Sequence, residues 1–283
     1  MSRPYAEVIG DPIAHSKSPL IHNFWLAKLG IDAQYRACHV KAEELADYFA
    51  RRRGDANWLG CNVTVPHKIA ALEFVADPSG VGPSIGATNT VLRAGDDGTL
   101  SATNTDSIGF VLPLDGFDLR GREIAVVGAG GAARAVLFAL ARMIGRGDRP
   151  RPPGVLIGRV TILNRSPLKA QHLLSGFGLE GRALALDAPL PPAALLVNAS
   201  SLGMVGKPPL DLNLGPLPND ALVYDLVYAP LRTALLAAAE ARGLETIDGL
   251  AMLVGQAAAA FEMFFGQPAP REHDAELRAL LTA

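Results

Sequence analysis

Lys68 and Asp106 are the two side chains whose types and positions best suit proton transfer. Pro66 fits the first turn of a helix with Thr64 or Val65 in the cap region, so the pattern predicts that Lys68 lies in the first turn of a helix running to Val75. A helix dipole disfavours an ammonium there and a nearby carboxylate favours it, which makes Lys68 a candidate general acid and base with Asp106 as its partner. The alternative for Lys68 is a solvated surface lysine.

A glycine-rich segment could bind the pyrophosphate of a dinucleotide. The apolar run Ile124–Val127 predicts a strand, and the Ala- and Leu-rich stretch after the glycines predicts a helix. Gly128 permits a tight turn, Gly130 lets the backbone approach phosphate, and the small Ala133 lets helix and strand pack closely. An ordinary tight turn is the alternative. The full candidate set is Gly128, Ala129, Gly130, Gly131, Ala132 and Ala133.

The next predicted strand, Val160–Leu163, ends in a basic rather than an acidic group. An NAD site usually has Asp or Glu at this point for the ribose 2′-hydroxyl, whereas Arg165 and Lys169 would suit a 2′-phosphate. We therefore expect NADP as the cofactor. The alternative is a solvated Arg and Lys pair at a helix start.

Hydroxyl groups also occur where an anion could bind. Ser16 and Ser18 lie between the predicted strand Tyr5–Ile9 and a helix over 20–29, so they could bind an anion or merely cap the helix. Tyr228 follows another predicted strand and could donate to a carboxylate or simply pack in a core.

Three further polar residues come from the second half of the chain. Asn198 and Ser200 end a buried strand, and ligands bind at the carboxyl ends of parallel strands, so we expect both near the nucleotide. Gln256 is a lone long amide among apolar neighbours in a predicted helix and needs a hydrogen-bond partner.

The elements that position these residues predict an α/β fold. Strands and helices alternate along the first hundred residues, which indicates a mostly parallel sheet, and a Rossmann-type dinucleotide-binding domain follows. We expect a substrate-binding and catalytic domain over residues 1–106, completed by about 248–283, and an NADP-binding domain over 107–247. The Pro- and Gly-rich stretch 145–154 predicts a surface loop.

Composition excludes several classes of protein. The chain has 283 residues, 49% of them hydrophobic, a net charge of −2 and a pI near 6.3, so nucleic-acid binding is not expected. No apolar run reaches the ~18 residues of a membrane span, and no targeting segment is evident. Cys38 and Cys61 lack metal or disulfide spacing, so we expect no metal and a cytoplasmic location.

Taken together, the motifs of the chain resemble those of the shikimate dehydrogenase family, in the family's order and over nearly the whole chain. They are Ser16-Lys-Ser18-Pro19, Asn62-Val-Thr64-Val-Pro66-His-Lys68, Gly86-Ala-Thr-Asn89-Thr90, Asn104-Thr-Asp106, the glycine-rich segment, Asn164-Arg165-Ser166, Asn198-Ala-Ser200, Tyr224-Asp225-Leu-Val-Tyr228 and Asp248-Gly249 with Gln256.

The resemblance implies NADP-linked, reversible reduction of 3-dehydroshikimate to shikimate by two α/β domains with a cleft between them. By position, Lys68 and Asp106 would be the catalytic pair. The substrate carboxylate would bind Ser16, Ser18, Thr64 and Tyr228, and the ring hydroxyls would bind Asn62, Asn89, Asp106 and Gln256. Gly249, Asn198 and Ser200 would join the cofactor site, where Asn164 and Ser166 would bind the 2′-phosphate with Arg165 and Lys169. We expect a monomer or a homodimer with a small-molecule substrate.

Departures from the family pattern leave a rival open. Ser107 occupies a position where the family usually has Gly, and residues 145–159 are an insertion. The stretch 77–84 is shorter than the helical segment that usually precedes the Gly86 motif in the family. The rival is a quinate or related polyol-acid dehydrogenase, possibly NAD-linked and catabolic. A non-enzymatic nucleotide-binding module is disfavoured because Lys68 and Asp106 are both present.

Overall fold

The computed structural model describes residues 3–77, 79–95, 98–143 and 158–283, and the chain divides into two units. The first unit comprises Met1–Gly109 and Leu253–Ala283, and the second comprises Phe110–Met252. The stretch 145–154, for which a surface loop is expected, and most of the insertion 145–159 lie outside the described residues.

The first unit is built on a five-stranded sheet. Its strands are β1 (Tyr5–Gly10), β2 (Gln34–His39), β3 (Trp58–Val63), β4 (Thr90–Arg93) and β5 (Leu100–Thr103), in the order β2-β1-β3-β4-β5. The first three are parallel, as their alternation with helices predicts. β4 instead runs antiparallel to both β3 and β5. The connection from β4 to β5 is short, as an antiparallel pair allows.

Helices cover both faces of this sheet. They are α1 (Ser18–Leu29), α2 (Leu45–Arg53), α3 (Val81–Ile85), α4 (Asp106–Val111), α8 (Gly249–Phe265) and α9 (Asp274–Thr282). Tyr48 and Phe49 of α2 pack with Ile9 and Trp58 on one face. On the other, α8 approaches so closely that a Cβ at Gly60 of β3 would lie 2.6 Å from the Phe264 ring.

The second unit contains a fully parallel, six-stranded sheet. Its strands are β6 (Ile124–Val127), β7 (Val160–Leu163), β8 (Gly181–Leu184), β9 (Leu195–Asn198), β10 (Leu222–Asp225) and β11 (Glu245–Ile247), and its helices include α5 (Gly131–Met143), α6 (Pro167–Phe177) and α7 (Ala234–Ala241). The order β11-β10-β9-β6-β7-β8 is that of a dinucleotide-binding sheet. The strand order therefore reverses between β6 and β9, where such folds bind their ligand.

The sequence did not predict every element. β5 and β8 were not anticipated. β8 lacks apolar alternation, and the alternation of β5 extends over only four residues. Among the described residues, no helix is long and apolar enough to cross a membrane.

Candidate functional site

Lys68 and Asp106 meet in the first unit, as their residue types suggested. Lys68 Nζ lies 2.5 Å from Asp106 Oδ2. The Asp106 side chain is 6% exposed and that of Lys68 is 17% exposed, so the ammonium remains accessible while the carboxylate is largely shielded from water. Such a pair holds a proton donor in a fixed orientation, which general acid and base catalysis requires.

The prediction that Lys68 lies in the first turn of a helix is wrong. Residues 65–69 form a turn, and only a short 3₁₀ helix follows, over Ala70–Phe74. The backbone carbonyl of Lys68 accepts a hydrogen bond from Thr88 N–H at 2.7 Å, so a partner from another segment replaces the helical one. His67 Nε2 hydrogen-bonds the carbonyl of Val40 at 2.6 Å and anchors the same turn. Tertiary contacts, not a helix dipole, therefore position the ammonium.

Asn89 links Asp106 to the rest of a buried polar network. Its Nδ2 lies 2.9 Å from Asp106 Oδ1, 2.9 Å from Thr105 Oγ1 and 3.2 Å from Gln256 Oε1. Its Oδ1 accepts from Thr105 N–H at 2.7 Å. Gln256, on α8, donates in turn to the carbonyl of Leu253. The structure thus brings Asn89, Asp106 and Gln256 together, and it supplies the partner that Gln256 was expected to need.

Asn62 joins the same network from β3. Its Nδ2 faces the Asn89 carbonyl at 3.2 Å and Thr90 Oγ1 at 3.1 Å, while its Oδ1 accepts from the Tyr35 hydroxyl at 2.6 Å. Tyr35 is fully buried, and burial raises the pKa of its hydroxyl well above the usual value. The side chain consequently remains a neutral hydrogen-bond donor.

Ser16, Ser18 and Thr64 lie at the carboxyl ends of β1 and β3, which are neighbours in the sheet. A Cβ at Gly10, the last residue of β1, would be 2.6 Å from Thr64 Cγ2. Ser16 Oγ accepts from Ser18 N–H at 3.3 Å, and Ser18 is the first residue of α1, whose N-cap residue Lys17 makes no side-chain cap bond in the described structure. Ser16 therefore assists the helix start weakly, and the use of both hydroxyls for an anion stays a prediction.

The glycine-rich segment of the second unit adopts a strand, turn and helix. Residues 124–127 form β6, and α5 begins at Gly131. A Cβ at Gly128 would lie 3.0 Å from the Ala199 carbonyl, so only glycine fits this turn beside the end of β9. A Cβ at Gly130 would meet nothing within 4 Å, which leaves open space above the amino end of α5. The backbone here fits the pyrophosphate of a dinucleotide.

The basic group after β7 is exposed to solvent. Arg165, Ser166 and Lys169 are all exposed, and Asn164 donates to the carbonyl of Ser166 at 2.9 Å, which shapes the turn into α6. No acidic side chain occurs over residues 164–169, and the two cations fit a ribose 2′-phosphate.

Asn198 and Ser200 shape the loop after β9 through internal hydrogen bonds. Asn198 Nδ2 donates to Leu202 O and to Asp225 Oδ1, and its Oδ1 accepts from the backbone and hydroxyl of Ser200. Asp225 is buried, which raises its pKa, and it also accepts from the Thr233 hydroxyl at 2.7 Å. Direct contact between Asn198 or Ser200 and a nucleotide stays a prediction.

Gly249 and Tyr228 complete the candidate residues. A Cβ at Gly249 would be 2.5 Å from the Leu226 carbonyl, so the start of α8 touches the loop after β10. Tyr228 is half-buried in the second unit, and burial raises its pKa. Its contact with a substrate stays a prediction. Among the described residues, no group of three or more His, Cys, Asp or Glu side chains could hold a metal ion.

Comparison with known proteins places this geometry in a family. The sequence model of the shikimate dehydrogenase substrate binding domain matches residues 8–91, and that of the shikimate 5′-dehydrogenase C-terminal domain matches residues 249–276. A shikimate dehydrogenase (NADP(+)) of Sphingopyxis alaskensis is 64% identical over 99% of this chain and 97% of its own length. The chain belongs to the shikimate dehydrogenase family.

Two further members of the shikimate dehydrogenase family agree with this assignment. A shikimate dehydrogenase (NADP(+)) of Rhodopseudomonas palustris strain HaA2 is 48% identical over 98% of this chain and 94% of its own length. The crystal structure of shikimate 5-dehydrogenase from Thermus thermophilus in complex with NADP(H) and shikimate matches with a TM-score of 0.81 and 36% identity, over 98% of this chain and 99% of that one.

Sequence reasoning missed the residues that hold the network in place. Tyr35, Thr90 and Thr105 each donate to or accept from a candidate binding residue, yet they occupy ordinary strand or loop positions. Thr90 and Thr105 lie inside the motifs at 86–90 and 104–106, so these motifs were the signal that could have identified them. Tyr35 gave no local signal, because its partner Asn62 is 27 residues away in sequence.

Proposed function

We propose that this chain catalyses the reversible, NADP-dependent reduction of 3-dehydroshikimate to shikimate, with Lys68 and Asp106 as its acid and base pair. The observation that carries the proposal is the 2.5 Å contact of Lys68 Nζ with a largely buried Asp106, in a chain of this family. The first unit would hold the substrate and the second the cofactor, consistent with the substrate binding domain matched over 8–91.

The substrate would be held by side chains of two kinds. Ser16, Ser18 and Thr64 offer hydroxyl donors for the carboxylate, with Tyr228 as a fourth. Asn62, Asn89, Asp106 and Gln256 offer amides and a carboxylate for the ring hydroxyls, and the last three already lie within one hydrogen-bonded cluster. A cyclic acid with several hydroxyl groups suits this combination.

The cofactor site would use the backbone of Gly128 to Ala133 for the pyrophosphate and Arg165 and Lys169 for the 2′-phosphate. When bound, NADPH supplies the hydride. The open space at Gly130 and the two exposed cations are the features of this structure that fit NADP.

Lys68 carries the proton chemistry. As the ketone of the substrate is reduced, negative charge develops on its oxygen, and the ammonium of Lys68 stabilises that charge and donates a proton to the oxygen. Asp106 orients the ammonium, and Asn89 orients Asp106 through its second oxygen. In the reverse direction the same lysine removes the proton from the hydroxyl.

Two remaining properties concern location and assembly. We place the protein in the cytoplasm because Cys38 and Cys61 are both free, as is usual in a reducing compartment. It would act as a monomer or a homodimer.

Turnover of the purified protein tests the proposal. Shikimate and quinate are each assayed with NADP and with NAD by absorbance at the nicotinamide band, and shikimate with NADP should be the preferred pair. Lys68→Ala should then lower turnover by about two to four orders of magnitude without unfolding the protein. Lys207→Ala, which removes an exposed lysine of the second unit, is the matched control and should keep normal turnover.

Two results would contradict this assignment. Near-normal turnover of a folded Lys68→Ala variant would remove Lys68 from the mechanism. Faster turnover of quinate, or a preference for NAD, would assign the chain to the catabolic rival and leave Arg165 without its proposed role.

A further inference from the structure

Tyr35 is held more rigidly than a strand residue needs to be. Its ring stacks on that of His22, with centroids 3.9 Å apart and planes within 4° of parallel, and it also contacts Phe264. The Asn23 side chain fixes its backbone, since Nδ2 donates to Tyr35 O at 2.7 Å and Oδ1 accepts from Tyr35 N–H at 3.0 Å. The same amide also donates to Pro19 O at 2.8 Å, near the start of α1.

The rigid ring presents its hydroxyl to Asn62, and the hydrogen-bond directions are determined. The Asn89 carbonyl can only accept, so the Asn62 amide must point Nδ2 toward it. Oδ1 of Asn62 then faces Tyr35 at 2.6 Å, and the Tyr35 hydroxyl must be the donor. The bonds of Thr90 Oγ1 support the same orientation of the Asn62 amide, because this hydroxyl donates its proton to Asn89 Oδ1 and can therefore only accept from Asn62.

We infer that Tyr35 is a positioning residue that fixes the amide plane of Asn62, and thereby the direction in which Asn62 can bind a substrate hydroxyl. The inference rests on the proposed function, which makes Asn62 a substrate contact. Tyr35 itself does not touch the reacting atoms. Without its hydroxyl, Oδ1 of the buried Asn62 loses the donor that it has in the described structure. Only the Nδ2 bonds to Asn89 O and Thr90 Oγ1, at 3.2 and 3.1 Å, then hold the amide, so its orientation is less tightly restrained.

Tyr35→Phe is the sharpest variant, because it keeps the ring stack on His22 and the backbone bonds to Asn23. We expect the KM for shikimate to rise about tenfold, the effect of leaving one buried acceptor unsatisfied. The kcat should remain within about twofold of normal, since the lost orientation weakens ground-state and transition-state binding equally. An unchanged KM would overturn the inference, as would a fall in kcat alone.

Tyr48→Phe is the matched control for the loss of a buried phenol. Tyr48 lies in the same unit and donates to Glu7 Oε1 at 2.7 Å, and Glu7 keeps Arg52 as a partner at 2.6 Å. This variant should lower thermal stability with the KM for shikimate unchanged. A KM increase equal to that of Tyr35→Phe would show that general loosening of the unit explains both, and would overturn the inference.

A double variant separates positioning from a purely structural role. In an Asn62→Ala background the hydroxyl has no amide to orient, so adding Tyr35→Phe should change kcat/KM by less than about twofold. Losses that multiply instead would show that Tyr35 acts independently of Asn62, which the inference does not allow.

Side-chain amide exchange in the ligand-free protein gives a readout that does not depend on turnover. The two Asn62 Nδ2 protons, identified by their absence in Asn62→Ala, should exchange slowly with solvent in the native protein. Exchange at the rate of an exposed amide would overturn the inference. Absence of turnover of native protein with shikimate would instead overturn the proposed function and leave this result standing.

Discussion

Acid should destabilise the first unit through His22. The imidazole is fully buried among aromatic rings, and neither ring nitrogen has a hydrogen-bond partner within the described structure. Burial lowers the pKa of His22 from 6.5 to about 3, because an apolar site disfavours the charged form. The folded protein therefore keeps His22 neutral in a range where the unfolded chain binds a proton.

The sign and size follow from linkage. Above pH 6.5, His22 is neutral in both the folded and the unfolded state, and its contribution to stability is complete. Between pH 6.5 and 3, His22 is protonated in the unfolded state alone, so stability decreases as the pH is lowered. Each unit below the unfolded pKa costs about 1.4 kcal/mol. At pH 5 the loss through this one residue is therefore about 2 kcal/mol of unfolding free energy.

Urea unfolding at pH 7 and pH 5 measures this loss. Trp25 and Trp58 are the two tryptophans of the chain and both lie in the first unit, so their fluorescence follows the unfolding of that unit. His22→Phe keeps an aromatic ring against Tyr35 and removes the titrating group. The drop in unfolding free energy between the two pH values should be about 2 kcal/mol smaller in this variant than in the native protein.

A packing control makes the comparison decisive. Phe261→Leu alters the ring that lies 5.8 Å from His22 but keeps the imidazole, so it should lower stability by the same amount at both pH values. Equal pH dependence of native protein and His22→Phe would refute the reasoning, because His22 would then not be held neutral by the fold.

Two other changes test the second unit. Arg165→Ala should raise the KM for NADP about tenfold or more and leave the KM for NAD nearly unchanged, because only the 2′-phosphate would lose a charge-assisted bond. Steady-state kinetics with each cofactor measure both values. Equal effects on both cofactors would contradict the role of Arg165. Gly249→Ala should lower the unfolding free energy by about 1–3 kcal/mol in a urea titration, because the added Cβ would lie 2.5 Å from the Leu226 carbonyl. Unchanged stability would show that the loop after β10 can move aside.

Much of the fold was predictable from local pattern. β6 is a four-residue apolar run followed at once by glycines and an Ala-rich helix, and each of these signals is complete within about twenty residues. The antiparallel direction of β4 relative to β3 was not predictable, because the residues of a strand do not by themselves determine which strand it pairs with. β8 was missed for a related reason, since its residues Gly181–Leu184 are only partly buried and lack alternation.

The candidate site was predictable in its reactive groups but not in their supports. Lys68 and Asp106 could be paired from charge and position alone. The helix assigned to Lys68 was wrong because Thr88 N–H and Val40 O, distant in sequence, hold the turn. Tyr35 escaped notice for the same physical reason: a buried phenol becomes informative only when its hydrogen-bond partner is known.

The discontinuity of the first unit has a consequence for synthesis on the ribosome. Residues 1–109 emerge early, but Gln256, Phe261 and Phe264 come after Met252, the last residue of the second unit. A nascent chain that ends before α8 lacks the amide that meets Asn89 and the rings that surround His22. Residues 110–252 can complete their own parallel sheet meanwhile, so the second unit should finish folding before the first. The hydrogen-bond network of Asn89 is thus completed only when α8 is released from the exit tunnel.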